Sequence, residues 1–448
     1  VQKLRPALQT SQGRSYNWSG ASLVNCFAEK ADGDKRDDFA LIATPGLVSW
    51  ADVGAGPIRA RIFVAGVLYV VSGGFLYSVD VDGVETLLDA IPGSGPVRIA
   101  ANYAEVCIAA EGTGYVYSGG ALTTPLLFDV SDVLYADGYI IWIVKDAEQF
   151  FISGLDDALT YDAADIASVE GFPDNIVGAI NDHREIQFYG ETSTEIFYNS
   201  GAADFPFERQ GNAFIERGCF DRNSIVKIDN SVTFMGDDRI VYLLNGYTPQ
   251  RISTHTIEYF LRDATYATAW TYSMEGHKFY VLEVDRGTFV YDHAVGAWHQ
   301  RQSWDSTWWR CNGAIQAYGA LYLTDRETGS LYLPSMDVHD EAGDIIALEI
   351  VLPTIELDRD RHTMYAFEVT METGQGNAAV EDPQIMLTYS DDGGHLWSNE
   401  MWRLLGRLGE YRSRAVWRRL GQFRQRQMKL RITDAVRRII VSYWCDIA

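Results

Sequence analysis

The stretch Val67-Leu-Tyr-Val-Val-Ser-Gly-Gly-Phe-Leu-Tyr-Ser-Val79 decides the fold. Six residues rich in Val, Leu and Tyr meet a Gly-Gly pair, and five more of the same kind follow. That is the chemistry of a β-hairpin: β-branched and aromatic residues for the strands, glycines for the two-residue turn. Six further stretches share the plan. They are EVCIAAEGTGYVYS from Glu105, YIIWIVKDAEQFFIS from Tyr139, REIQFYGETSTEIFY from Arg184, VTFMGDDRIVYLL from Val232, HKFYVLEVDRGTFVY from His277 and LYLTDRETGSLYL from Leu321. Successive starts lie 38, 34, 45, 48, 45 and 44 residues apart. The second strand carries Tyr77, Tyr117, Tyr198, Tyr242, Tyr291 or Tyr332, with Phe151 in the third unit.

A period of about 42 residues is the size of one four-stranded propeller blade. A small sheet cannot bury both faces alone, so it stacks on a neighbour, and a ring of blades closes the stack. The expectation is an all-β chain with a six- or seven-bladed β-propeller over residues 41–335. The alternative is an irregular run of antiparallel hairpins forming sandwiches. Residues 1–40, polar and bearing Gly and Ser, read as an N-terminal arm that orders on a partner. After the acidic linker SMDVHDEAGD the rhythm changes, and strand-like stretches such as IIALEIVLPTIEL, MYAFEVTME and RQMKLRI follow. Residues 336–448 are therefore expected to form a β-rich, sandwich-like domain, or to return strands to the propeller. Helical periodicity is confined to 254–264 and to 403–420.

The chain has 448 residues, 47% of them hydrophobic and 22% charged, so it can bury a large core. No apolar run reaches the length of a membrane span, and no insertion into a membrane is expected. The first twenty residues lack the apolar segment of a secretory signal, which is expected to be absent or already removed. The five cysteines are scattered with no CxxC pair, which fits reduced thiols and assembly in a cytoplasm. The scattered histidines match no metal-ligand spacing, and no cofactor is expected. The net charge of −24 is uneven. Residues 401–448 hold eleven Arg and Lys429 against Glu410, Asp434 and Asp446, a balance of +9 that leaves −33 on the remainder. Such asymmetry suits different partners on different surfaces.

The stretch LTYSDDGGHLWS, with Ser390, Asp392, Gly394 and Trp397, resembles the Asp-box of sialidase-like propellers. That raises a glycan-binding or glycan-cleaving reading. The Asp-box is a turn motif in which Ser and Asp bond local amides while the Trp packs on the hairpin. Sialidase chemistry also needs an arginine cluster and a Tyr nucleophile with a supporting Glu, and no stretch signals them. The pairs Asp37–Asp38, Asp156–Asp157, Asp237–Asp238 and Asp391–Asp392 read as turn residues of an acidic surface. DVDG at 80–83 lacks the remaining ligands of a calcium loop. With no phosphate-binding loop, nucleophile elbow or HExxH, the chain is not expected to be an enzyme. The basic segment offers Arg418, Arg419, Arg424 and Arg426 as candidate interface residues. Arg424 and Arg426 are placed on one face of a strand, Lys429 and Arg431 on the other, the alternative being pairing with the acidic remainder.

The order of several stretches is similar to that of the packaged-DNA stabilisation proteins of short-tailed phages, also called tail hub or nozzle proteins. They are LVNCFAEK (23–30), ALIATPGL (40–47) and GPIR (56–59), then FYGETSTEIFYNSGAADFPFERQGNAFIERGC (188–219), NSVTFMGDDR (230–239) and NGYTPQRIST (245–254). GEYRSRAVWRRLG and RITDAVRR follow the Asp-box-like stretch. The resemblance implies a structural virion protein of the tail, assembled in the host cytoplasm into a ring, a hexamer, below the portal and adaptor. It would retain packaged double-stranded DNA, form its exit channel, and contact tailspikes or fibres and, in some phages, a needle. It implies scaffold and interface positions at Thr44, Pro45, Gly46, Arg59, Gly190, Glu191, Asp204, Phe205, Pro206, Phe207 and Gly218, and no catalytic residue. An acidic ring lumen would let the phosphate backbone slide without sticking.

Overall fold

The structure, a computed structural model, describes residues 1–11, 13, 20–31, 38–169, 171, 174–358 and 360–448, with the backbone alone at Asn212. Asp37 of the first acidic pair and residues 12, 14–19 and 32–37 of the expected arm lie outside the described residues.

The quoted hairpin forms as read. Val67–Ser72 and Phe75–Val79 pair with Ser72 opposite Phe75, so Gly73 and Gly74 make the turn. Gly73 takes a φ of +53°, a conformation that a side chain would strain. Ile58–Val64 and Glu85–Ala90 flank the hairpin and complete blade 1. Each further hairpin is the middle of a similar four-stranded sheet. Blade 2 spans Val97–Thr123, blade 3 Val130–Ser168 and blade 4 Ile176–Ile215. Blade 5 spans Val226–Arg251 and blade 6 Thr268–Arg301. Blade 7 takes three strands from Cys311–Ser335, and its fourth is Gly46–Asp52, from the other end of the chain.

The count of seven follows from packing as well as pairing. Alternate residues of each strand point to opposite faces, so every blade is greasy on both sides. In blade 1, Leu68 and Val70 pack with Tyr322 and Leu331 of blade 7, while Val71 and Leu76 pack with Val106 and Ile108 of blade 2. Cys107 and Trp142 join blades 2 and 3, Phe150 and Phe188 blades 3 and 4, and Tyr189 and Phe234 blades 4 and 5. Val241 and Tyr280 join blades 5 and 6, and Trp270 and Trp309 stack between blades 6 and 7. Seven interfaces for seven sheets close a ring. Each fully buried side chain of this size contributes about 1.5–3 kcal/mol relative to exposure.

The C-terminal region is a β-sandwich. One sheet orders Cys26–Lys30, Phe39–Ala43, Ile439–Ile447, His362–Met371 and Ala415–Arg418. The other orders Ser22–Val24, Leu348–Val351, Gln425–Ile432, Gln384–Ser390 and Met401–Leu404. Phe367, Trp417, Leu387, Leu430 and Tyr443 fill the space between them.

Two expectations meet a different arrangement. The described strands of residues 1–40 belong to the sandwich. Gln2–Leu4 pairs with Ile439–Ile447, and Ser22–Val24 lies between the last strand of blade 6 and Leu348–Val351, making one continuous sheet across both regions. The N-terminal side thus lends blade 7 its fourth strand, and 336–448 returns the short strands Asp340–Glu341 and Asp344–Ile345 to the edge of the same sheet, Glu341 pairing with Leu47. The segment 403–420 holds the end of the strand Met401–Leu404, a loop and the whole strand Ala415–Arg418, because Gly406 and Gly409 take φ of +88° and +91°, which no helix tolerates. The helix expected at 254–264 is present at His255–Leu261, capped by Thr254.

Candidate functional site

The basic C-terminal segment divides by pairing. Arg407, Arg414, Arg426, Lys429 and Arg437 each lie within 4 Å of a carboxylate from elsewhere in the sandwich. Arg418, Arg419 and Arg424 are exposed and pair with no carboxylate among the described residues. They surround the turn Leu420–Gly421, where Arg419, at φ +61°, donates its N–H to the Tyr365 carbonyl. The sandwich also exposes apolar side chains. Trp402 and Leu404 stand outward on the edge strand Met401–Leu404, and Leu408 and Tyr411 follow in its loop. The Arg403 guanidinium donates to the Val416 carbonyl at 2.8 Å and holds this edge strand beside Ala415–Arg418. Unpaired exposed cations and exposed large apolar side chains are both compositions from which protein interfaces are built.

Arg426 does not share that surface. Its side chain is 1% exposed, and its guanidinium makes a bidentate pair with Asp391 at 2.7 and 2.8 Å. It also donates to the Leu420 carbonyl and lies over the rings of Tyr389 and Phe423. Arg424 precedes the strand Gln425–Ile432, so the shared strand face expected of Arg424 and Arg426 does not form.

The Asp-box-like turn lies in the sandwich, not in a blade. Ser390 Oγ accepts the Gly394 N–H at 2.9 Å and donates to Asp392, whose carboxylate accepts the N–H groups of His395 and Leu396. Those amides, that of Leu396 first, hold the Asp392 carboxyl below its usual range. Trp397 lies under Lys429, the ammonium 4.7 Å from its ring. The other acidic pairs do local work too: Asp157 accepts the Leu159 amide, and Asp237 and Asp238 flank Arg217. At 80–83, Asp80 bonds the amides of Asp82 and Val84.

The remaining candidates are spread through the molecule. Thr44, Pro45 and Gly46 are buried where the chain crosses from sandwich to blade 7, and the Pro45 carbonyl accepts from buried Arg301 at 2.6 Å. Gly218 abuts the Glu191 carbonyl so closely that a Cβ would overlap it, while Glu191 itself is exposed beside Gly190. In the FPFER loop Asp204 is exposed, but Pro206 and Phe207 are buried and Phe205 packs on the ring of Phe150, so the aromatics anchor blades 3 and 4 to each other. Arg59 lines a cavity at the axis of the propeller, its guanidinium turned to the carbonyls of Gly73, Ile91 and Gly95. Sequence reading missed its companions there, although "IRARIFV" and "VRIAA" place arginines inside apolar first strands of blades, a legible signal.

All five cysteines are buried free thiols; burial pushes Cys26 and Cys219 up to about 12. Among the described residues no three His, Cys, Asp or Glu side chains converge as a metal site. Among the described residues no helix is long and apolar enough to cross a membrane.

Comparison with solved structures finds matches at low identity. The computationally designed Ika8 protein is 13% identical, with 73% of this chain and 100% of that one covered and a TM-score of 0.40. The WD40 propeller domain of Doa1 is 11% identical, with 65% and 97% covered and a TM-score of 0.41. The Cps50 (Swd1) propeller domain of Myceliophteria thermophila is 8% identical, with 65% and 99% covered and a TM-score of 0.44. No curated protein matches. Two family models do: the β-propeller of bacteriophage P22 Gp10 over residues 9–338, and its β-sandwich over residues 348–446. With both regions matched in order over most of its length, this chain belongs to the bacteriophage P22 Gp10 family of phage tail structural proteins.

Proposed function

We propose that this chain is a ring-forming hub of a short phage tail, a nozzle below the portal and adaptor that retains packaged DNA and forms its exit channel. The observation that carries the reading is the exposed Arg418, Arg419 and Arg424, which pair with no carboxylate among the described residues, on a chain whose remainder bears −33. A basic surface on one copy facing an acidic surface on the next is a head-to-tail contact. Contacts of that kind close into rings when the rotation allows. A ring of chains each carrying −24 also presents DNA with an overall repulsive wall, which favours passage over adhesion. The other exposed surfaces are left for adaptor and tailspike or fibre.

The test is imaging of virion tail vertices with this chain located in the density. The expected result is several copies in a ring on the path of the DNA, with Arg418 and Arg419 at the contact between copies. A single copy, or a position off that path, overturns the reading. In virions carrying both Arg418→Glu and Arg419→Glu, particles are expected to lose packaged DNA while heads still fill.

A further inference from the structure

The first strands of the blades line the propeller axis, and a cavity of about 490 Å³ lies there. Arg59, Arg61, Arg98, Arg222 and Arg326 line it, against one lining carboxylate, Glu283. Arg326 already holds Glu283 at 2.9 Å. The other guanidiniums are under-neutralised. Arg98 and Arg222 share Asp132, which is fully buried behind the wall: Arg222 Nε donates to it, and Arg98 Nε stands 4.0 Å away. Arg98 also donates to Asn223, and Asp221 lies close enough to attract it. Arg61 pairs with no carboxylate among the described residues, and its Nε reaches the Ala314 carbonyl only at 3.4 Å. Arg59, its side chain 3% exposed, spends Nε and Nη1 on the carbonyls of Gly95, Gly73 and Ile91. Its buried Nη2 has no hydrogen-bond acceptor and stands 3.9 Å from Glu111.

The backbone makes room for these cations. A Cβ at Gly178, in the first strand of blade 4, would overlap the Arg222 side chain, and one at Gly313, in blade 7, would overlap the Arg61 guanidinium. Burial lowers Arg61 to about 10, and burial with repulsion from Arg222 does the same to Arg98. Enclosed charge without a counter-charge is destabilising, and an entering anion relieves it.

We infer that the axial cavity binds a phosphate group, held by Arg61, Arg98 and Arg222 with Arg59 behind them. Guanidinium forks match phosphate oxygens bidentately, which a diffuse positive surface does not. An adjoining cavity of about 340 Å³ shares Arg98 and Arg222 and adds Lys145 and the carboxylate Glu111, so the site has room for a phosphate ester as well as the free ion.

The test is equilibrium dialysis of the full chain against labelled inorganic phosphate at fixed ionic strength. One phosphate per chain is expected, and Arg61→Met, which leaves the basic sandwich intact, weakens it about tenfold or more. Competition by glycerol phosphate sorts ester from free ion, and either result supports the site. Thermal melts separate this role from a structural one. In chloride, Arg61→Met is expected to melt at or above the parent, because it removes an unneutralised charge, and phosphate is expected to raise the parent's Tm alone. No binding to the folded parent, equal binding by the variant, or a variant that melts lower in chloride each overturns the inference.

Discussion

Two positions apart, Arg424 stands in solvent and Arg426 is sealed in the sandwich. The partner of Arg426 is its neighbour in space, Asp391, 35 residues back. The turn built by Ser390 and Asp392 was legible because every partner lies within four residues. The Asp391 pair was not, because nothing in a sequence marks a contact across a sheet. Asp391→Ala leaves a buried guanidinium with π faces and one carbonyl. Since Asp391 is 39% exposed and water can take its place, the expected cost is about 1–3 kcal/mol, read from the urea midpoint. A second residue-scale prediction concerns pH. His277 Nδ1 lies 2.6 Å from the buried Asp292 carboxylate, and that hydrogen bond raises its pKa. The stabilisation is complete below the unfolded value of about 6.5 and fades as pH rises through the raised folded value. His277→Asn should therefore lower Tm more at pH 6 than at pH 9. Buried His299, held down to about 3, acts in the opposite sense. It stays neutral while the unfolded chain takes up a proton, so it makes the protein less stable as pH falls below about 6.5.

Elements were legible wherever they were local. Each of the seven hairpins exists because its two strands and turn are consecutive, and their period announced the ring. The closing strand Gly46–Asp52 was hidden, since its partner Ser330–Ser335 lies at the far end of the propeller and the residues between belong to other blades. The apolar spacing of Trp402, Leu405 and Leu408 imitates a helix, and two glycines overrule it. The closure has its own vulnerable point. A Cβ at Gly46 would overlap the carbonyls of Val338 and Asp340, which are backbone and cannot swing aside. Gly46→Ala is expected to cost about 1–3 kcal/mol. Val48→Ala, an exposed change on the same strand, should stay within about 0.5 kcal/mol. Equal losses in a thermal melt would mean that the tight approach at Gly46 does not govern blade 7.

At the scale of the whole molecule, the chain is threaded so that propeller and sandwich share strands. The sequence could not say this, because a break in hairpin rhythm at 336 looks the same whether two regions are tethered or fused. Asn25 lies at the fusion, 1% exposed and at φ +56°. Its amide donates to the carbonyls of Gln302, after blade 6, and Ala347, before the sandwich strand, while its carbonyl oxygen accepts the Gln302 N–H, all at 2.9 Å. The adjacent Ser22–Val24 strand continues one sheet from blade 6 into the sandwich. Two regions joined by backbone ladders should lose structure together, so calorimetry of the parent is expected to give one transition. Asn25→Gly keeps the backbone conformation and removes all three side-chain bonds, at about 1 kcal/mol each with a further cost for any polar group left buried. The expected outcome is a first transition several degrees lower and separation of the two regions, the sandwich melting apart from the ring. One unshifted transition in that variant would mean that the shared strands alone couple the regions and the Asn25 side chain is dispensable.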